Sequence, residues 1–205
     1  MIHHVRLVYD AADTFLSHQL REPSTRGSVA VVVGTIVSTV LSQLVLLAFV
    51  LSDGWFVLTS GLYGVVVEWT IRTVGSWFVF AGVLQAFSAL FDRDGSFEQL
   101  LVLLGWGYLP LCVAGVVLTV VTVVVGVVNP GGTAATVANL PAGVTAFRAS
   151  PLFMLVGVGT NVLFGVSVLV WAVILSRARA IRLGHSLALV IPSAVAVFGF
   201  FYGIL

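Results

Sequence analysis

Charged residues in this chain are gathered into clusters, and between the clusters lie five apolar runs: Ser28–Leu51, Thr73–Phe91, Leu100–Val128, Leu152–Leu175 and His185–Leu205. Each is close to the roughly 20 residues that a helix needs to cross a hydrocarbon core. Val, Leu, Ala and Gly occupy odd and even positions alike, whereas the strands of a membrane β-barrel alternate in polarity over about ten residues. The pattern predicts an all-α fold, a polytopic bundle of five transmembrane helices forming a single membrane domain over residues 1–205. Pro192 and several glycines interrupt the last run, which a membrane helix tolerates when neighbours serve the freed carbonyls.

The connecting segments have their own patterns. In Met1–Glu22, Ile2, Val5, Val8, Ala12, Phe15 and Leu16 recur at three- and four-residue spacing, with His4, Arg6, Asp10 and Asp13 placed mainly elsewhere on the wheel. That spacing predicts an N-terminal amphipathic interfacial helix within a cytoplasmic lead-in, residues 1–27, in place of a signal peptide. Asp53–Ile71 is helical in pattern but carries Glu68, and reads as a helix at the outer surface that runs into the second span. Asp94-Gly95 marks a tight turn, and Ser96 is placed to cap the helix that follows, with Glu98 and Gln99 in its first turn. Asn129–Ser150, rich in Gly, Pro, Ala and Thr, reads as an external loop with room for a short helix.

Composition agrees with this reading. Of 205 residues 60% are hydrophobic and 8% charged, and a water-soluble fold of this size has about three times that charged share. All nine basic residues are Arg. With the N-terminus inside, Arg6, Arg21, Arg26, Arg93, Arg177, Arg179 and Arg182 are cytoplasmic and only Arg72 and Arg148 external, so the positive-inside rule predicts N-in, C-out in the cell membrane. A net charge of +1 gives no footprint for nucleic acid. The lone Cys112 excludes an intrachain disulfide.

Candidate chemistry is sparse. Small residues recur at helical spacing: Gly34, Ser38 and Ser42 on the first span, Gly82 and Ala86 on the second, Gly157 and Gly165 on the fourth. Such ladders let membrane helices approach closely. Gln43 and Asn161 are the candidate polar residues of the bundle interior, and a path between them would suit a small-molecule or ion permease. No acidic residue lies in mid-membrane to relay protons.

Glu68 and Arg72, four apart, share a helical face and can pair. Intramembrane prenyl-protein proteases also carry Glu-xxx-Arg, but with a double Glu where this chain has Val67, and with histidines on later helices. Here His3, His4, His18 and His185 lie outside the spans or at a span end. A rhomboid-type serine site fails as well, because Thr59-Ser60-Gly61 lacks the first glycine and is expected across the membrane from His185. The histidines make no metal-ligand cluster. No phosphate loop or haem motif is present either, so neither cofactor nor metal is expected. Arg177, Arg179 and Arg182 satisfy the positive-inside rule, and are also the candidate contacts for lipid headgroups or a partner, each worth about 1 kcal/mol near an anionic surface.

The most distinctive stretch is Asp94-Gly95-Ser96-Phe97-Glu98-Gln99-Leu100-Leu101, followed by Leu104-Gly105-Trp106-Gly107-Tyr108-Leu109-Pro110. It resembles the Yip family of five-helix membrane proteins, prokaryotic branch, in which a Gly-x-Phe-x-x-Leu-like segment leads into Gly-Tyr-x-x-Pro within the third helix. Phe15 to Pro23 looks like the family's amphipathic lead-in, and Trp171 through Leu187 like its Arg-bearing loop. The resemblance implies a non-enzymatic membrane organiser or adaptor, with the bilayer, a membrane-protein partner or a second copy of itself as its contacts. The acidic N-terminal region and Asp-Leu-x-Gly-Pro motif of eukaryotic members are missing, so GTPase binding is not carried over. Within the motif, Pro110 should kink the third helix at Trp106. Gly105 and Gly107 should allow close contact, and Trp106 and Tyr108 should anchor near the interface, together a candidate hinge or partner site.

Overall fold

The computed structural model describes residues 14, 17–19, 21–22, 24–50, 54–90, 95–128 and 140–202, with the side chains of 54–61 and 140–141 left out of the description. Most of the expected amphipathic helix of Met1–Glu22, and four of the nine residues of the Phe15–Pro23 lead-in, lie outside these residues. All described elements are helices: α1 Thr25–Val50, α2 Gly54–Ala89, α3 Phe97–Trp106, α4 Leu109–Val128, α5 Leu140–Arg148, α6 Pro151–Arg179 and α7 Leu183–Tyr202. Four stretches among them are long and apolar enough to cross a membrane: α1, Phe97–Val128, α6 and α7. They are apolar all round, as segments surrounded by hydrocarbon or by other helices must be.

Two boundaries differ from the sequence pattern, each for a physical reason. α2 is one helix of 36 residues that absorbs both the expected surface helix and the second apolar run. Thr73, Ser76, Gln85 and Ser88 dilute its apolar character, and it is not among the four. The third run divides at Gly107–Tyr108, one residue beyond the expected kink. This places Pro110 in the first turn of α4, where a missing N–H costs nothing because that turn has no helical acceptor. The short helix for which Asn129–Ser150 has room is present as α5.

Other features match. Ser96 caps α3, with extended backbone (φ −68°, ψ 139°) and its hydroxyl accepting from Gln99 N at 3.0 Å. α7 continues through Pro192. Glu68 Oε1 and Arg72 Nη2 lie 2.6 Å apart, and the guanidinium stands 5.6 Å from the Trp69 ring centroid. α6 ends on Ala180 at φ 50°, with Ile181 N donating to Ser176 O at 3.1 Å.

The chain forms two compact units. One gathers Met1–Val31, Ser76–Gly107 and Val168–Leu205. Its core is an aromatic cluster drawn from three helices. Trp171 of α6 stacks on Phe198 of α7 with ring centroids 5.2 Å apart, and Phe80 of α2 packs on Trp171 at 4.8 Å. Leu84, Leu100, Leu103, Leu104 and Leu175 of this unit are also fully buried.

The other unit comprises Val32–Gly75 and Tyr108–Ser167. Here the small-residue ladder of α1 meets α4 directly. A Cβ on Gly34 would touch Cys112 Sγ at 3.1 Å, one on Gly115 would lie 2.4 Å from Ser38 Oγ, and one on Gly126 would collide with the Phe49 ring. Thr119 Oγ1 donates to Ser38 O at 3.3 Å. Residue numbers rise together along this contact, so α1 and α4 are parallel. Gly82, Gly157 and Gly165 have open space where a Cβ would be. Leu46 and Val50 pack against Val144 and Phe147 of α5.

Candidate functional site

The Gly105–Pro110 motif is where one helix stops and another begins. Carbonyls in a final turn run out of helical partners. Leu104 O is met by Gly107 N at 3.0 Å and by the indole N–H of Trp171 at 2.9 Å. One turn earlier, Leu101 O accepts the indole N–H of Trp77 at 2.8 Å. Two tryptophans from outside the motif thus hold the end of α3 by its backbone.

The glycines make room for these neighbours. A Cβ on Gly105 would lie 1.9 Å from Ser28 Oγ and 3.2 Å from Trp77 Cζ2. A Cβ on Gly107 would lie 2.0 Å from Trp171 Nε1. Gly107 has φ −67° and ψ −9°, open to any residue, so its role here is space and not conformational freedom. Trp106 covers Gly27, where an added Cβ would lie 2.5 Å from Trp106 Cζ2. Across the break, Tyr108 is fully buried and its carbonyl receives Cys112 N at 2.9 Å and Thr35 Oγ1 at 3.4 Å. Tyr108 therefore sits in the core.

The three arginines of the last loop do not form one patch. Arg177 and Arg182 are exposed, while Arg179 retains 3% of its surface and donates to Gln85 Oε1 and, at 3.3 Å, to Ser96 O. Gln85 Nε2 in turn donates to Gly95 O at 3.1 Å. Arg179 is thereby a clasp on the start of α3. Gln85 carried the one available signal for it, as an amide within an apolar run, and nothing local in the sequence pointed to its partner.

Gln43 and Asn161 are not brought together at a cavity. Gln43 is half-buried and lines a cavity of about 210 Å³ with Ser42, Thr122, Thr160 and Arg148, whereas Asn161 is exposed and is not among the lining residues. Among the described residues no group of three His, Cys, Asp or Glu side chains could hold a metal ion.

Searches of curated proteins and of solved structures returned no match to this chain. The family model described as the Yip1 domain matches residues 6–205. With that match over almost its whole length and with several helices of membrane-crossing character, this multi-pass membrane protein belongs to the Yip1-domain family.

Proposed function

We propose that the protein is a non-enzymatic Yip-type organiser or adaptor of the cell membrane, with five spans, its N-terminus cytoplasmic and its C-terminus outside. The observation that carries the fifth span is the parallel run of α1 along α4. Two consecutive spanning helices that point the same way need a return crossing between them, and α2, at 36 residues, has the length for it. Seven of nine arginines then fall on the cytoplasmic side.

The adaptor role rests on the family and on the character of the motif. Gly105, Gly107 and Pro110 are used in shaping the fold, and Trp106 remains half-buried beside the break. Arg177 and Arg182 are exposed at the end of α6 and the start of α7 and supply cationic contact. The test is mild crosslinking and affinity purification of the tagged chain from native membranes, alongside Trp106→Ala and an Arg177→Gln/Arg182→Gln variant. A reproducible protein partner that is lost in either variant is the expected result. Recovery of the chain with itself and lipid alone, or of a partner indifferent to both variants, would remove the adaptor reading.

A further inference from the structure

Three hydroxyls of the unit formed by Val32–Gly75 and Tyr108–Ser167 have already spent their protons. Ser42 Oγ donates to Thr39 O at 2.7 Å, Thr122 Oγ1 to Leu118 O at 2.7 Å and Thr160 Oγ1 to Gly157 O at 2.8 Å. All three line the cavity of about 210 Å³, toward which they can offer only oxygen lone pairs. Gln43 and Arg148 line it too, and neither makes a hydrogen bond or ion pair among the described residues. The guanidinium brings up to five N–H donors, and among the described residues no carboxylate borders the space.

A complementary ligand therefore carries an anionic group for Arg148 and O–H donors for the hydroxyl oxygens. An ammonium headgroup is disfavoured, because it would find no carboxylate and would face the arginine. A phosphodiester bearing a polyol meets both demands, and Arg recognises phosphate by paired N–H contacts. The volume lies below the roughly 300–1,000 Å³ of sites that engulf drug-sized ligands, which suits a headgroup whose chains remain outside. Apolar side chains border the cavity as well, Leu46, Leu118 and Phe153, against which the start of those chains can lie.

We propose that this cavity binds the phosphoglycerol-type headgroup of an anionic membrane lipid, with its phosphate on Arg148 and its hydroxyls donating to Ser42, Thr122 and Thr160. The proposal is independent of any protein partner and stands or falls apart from the adaptor reading.

Thermal unfolding of the purified full chain in neutral detergent tests it, with phosphatidylglycerol, phosphatidylethanolamine or glycerol 3-phosphate titrated in. Phosphatidylglycerol should raise Tm saturably and the other two should not. Arg148→Gln and Thr122→Val should each weaken the apparent affinity for phosphatidylglycerol, by about tenfold for the arginine if one charge-assisted contact is lost. Arg148→Lys should recover part of that loss. The lipid-free Tm of each variant separates weakened binding from damaged folding. Equal response to phosphatidylethanolamine, or an undiminished response in Arg148→Gln, would overturn the site. A shift by glycerol 3-phosphate as large as that by the lipid would overturn the assignment to a membrane lipid.

Discussion

Replacing Gly107 by Ala adds a single methyl at a point where the structure has no room for it. The new Cβ would lie 2.0 Å from Trp171 Nε1, 2.1 Å from Cδ1 and 3.0 Å from Cε2. Carbon contacts relax at about 3.5–4 Å, so the indole or the end of α3 must move by about 1.5 Å. The indole is held on three sides, by Phe198, by Phe80 and by its bond to Leu104 O. Overpacking of this kind costs about 1–3 kcal/mol, and the lost hydrogen bond about 0.6–1 kcal/mol in a membrane interior. Against this, Ala at φ −67° gains about 0.4–1 kcal/mol through the unfolded chain. The net expectation is destabilisation by about 0.6–3.6 kcal/mol, centred near 2 kcal/mol, the two costs outweighing the gain.

Unfolding by sodium dodecyl sulfate titration in mixed micelles, followed by tryptophan fluorescence, measures the effect. Gly82→Ala and Gly157→Ala serve as controls, because a Cβ at either position meets nothing within 4 Å. They should be neutral or more stable by up to about 1 kcal/mol. Trp171→Ala removes every atom that collides, so a double-mutant cycle should return a coupling of at least about 1 kcal/mol with Gly107→Ala. A Gly107→Ala protein as stable as its parent, or a coupling near zero, refutes the reasoning.

Three other expectations rest on separate observations. Ala180 occupies a left-handed position at the end of α6, so Ala180→Gly should stabilise by about 1 kcal/mol in the same titration, and a loss of stability would contradict the cap geometry. Arg179→Ala should cost about 2–3 kcal/mol because it strips charged hydrogen bonds from Gln85 and Ser96 O, while Arg177→Ala stays within about 0.5 kcal/mol; equal effects would dismiss the clasp. In a Cys112→Ser background, single cysteines at Ser24 and Ala149 should react with an impermeant maleimide from opposite sides of the membrane, and labelling from one side alone would mean that α2 does not cross.

The helices themselves are legible in the sequence because charge is so costly in hydrocarbon that its absence outlines each segment. The break near Pro110 is legible for an equally local reason, the missing N–H. Contacts that lie far apart along the chain are another matter. Trp171 reaches Leu104 across 67 positions and Arg179 reaches Gln85 across 94, and neither distance leaves a local pattern. Arg177, Arg179 and Arg182 look alike as residues in a basic loop, and only packing separates the buried one from its neighbours. The amide pair fails for a similar reason. Gln43 and Asn161 are equivalent as polar residues in apolar runs, but their helical phase relative to neighbouring helices places one at a cavity and the other on an exposed face.

The indole bonds of Trp77 and Trp171 end on backbone carbonyls, an acceptor that all twenty residue types possess. Leu101 and Leu104 can therefore change in the course of evolution without loosening either bond, so long as the helix persists. In a comparison of relatives these tryptophans would stand as fixed columns with no co-varying partner, so methods that find contacts through paired substitutions would miss the attachment that holds this helix end in place.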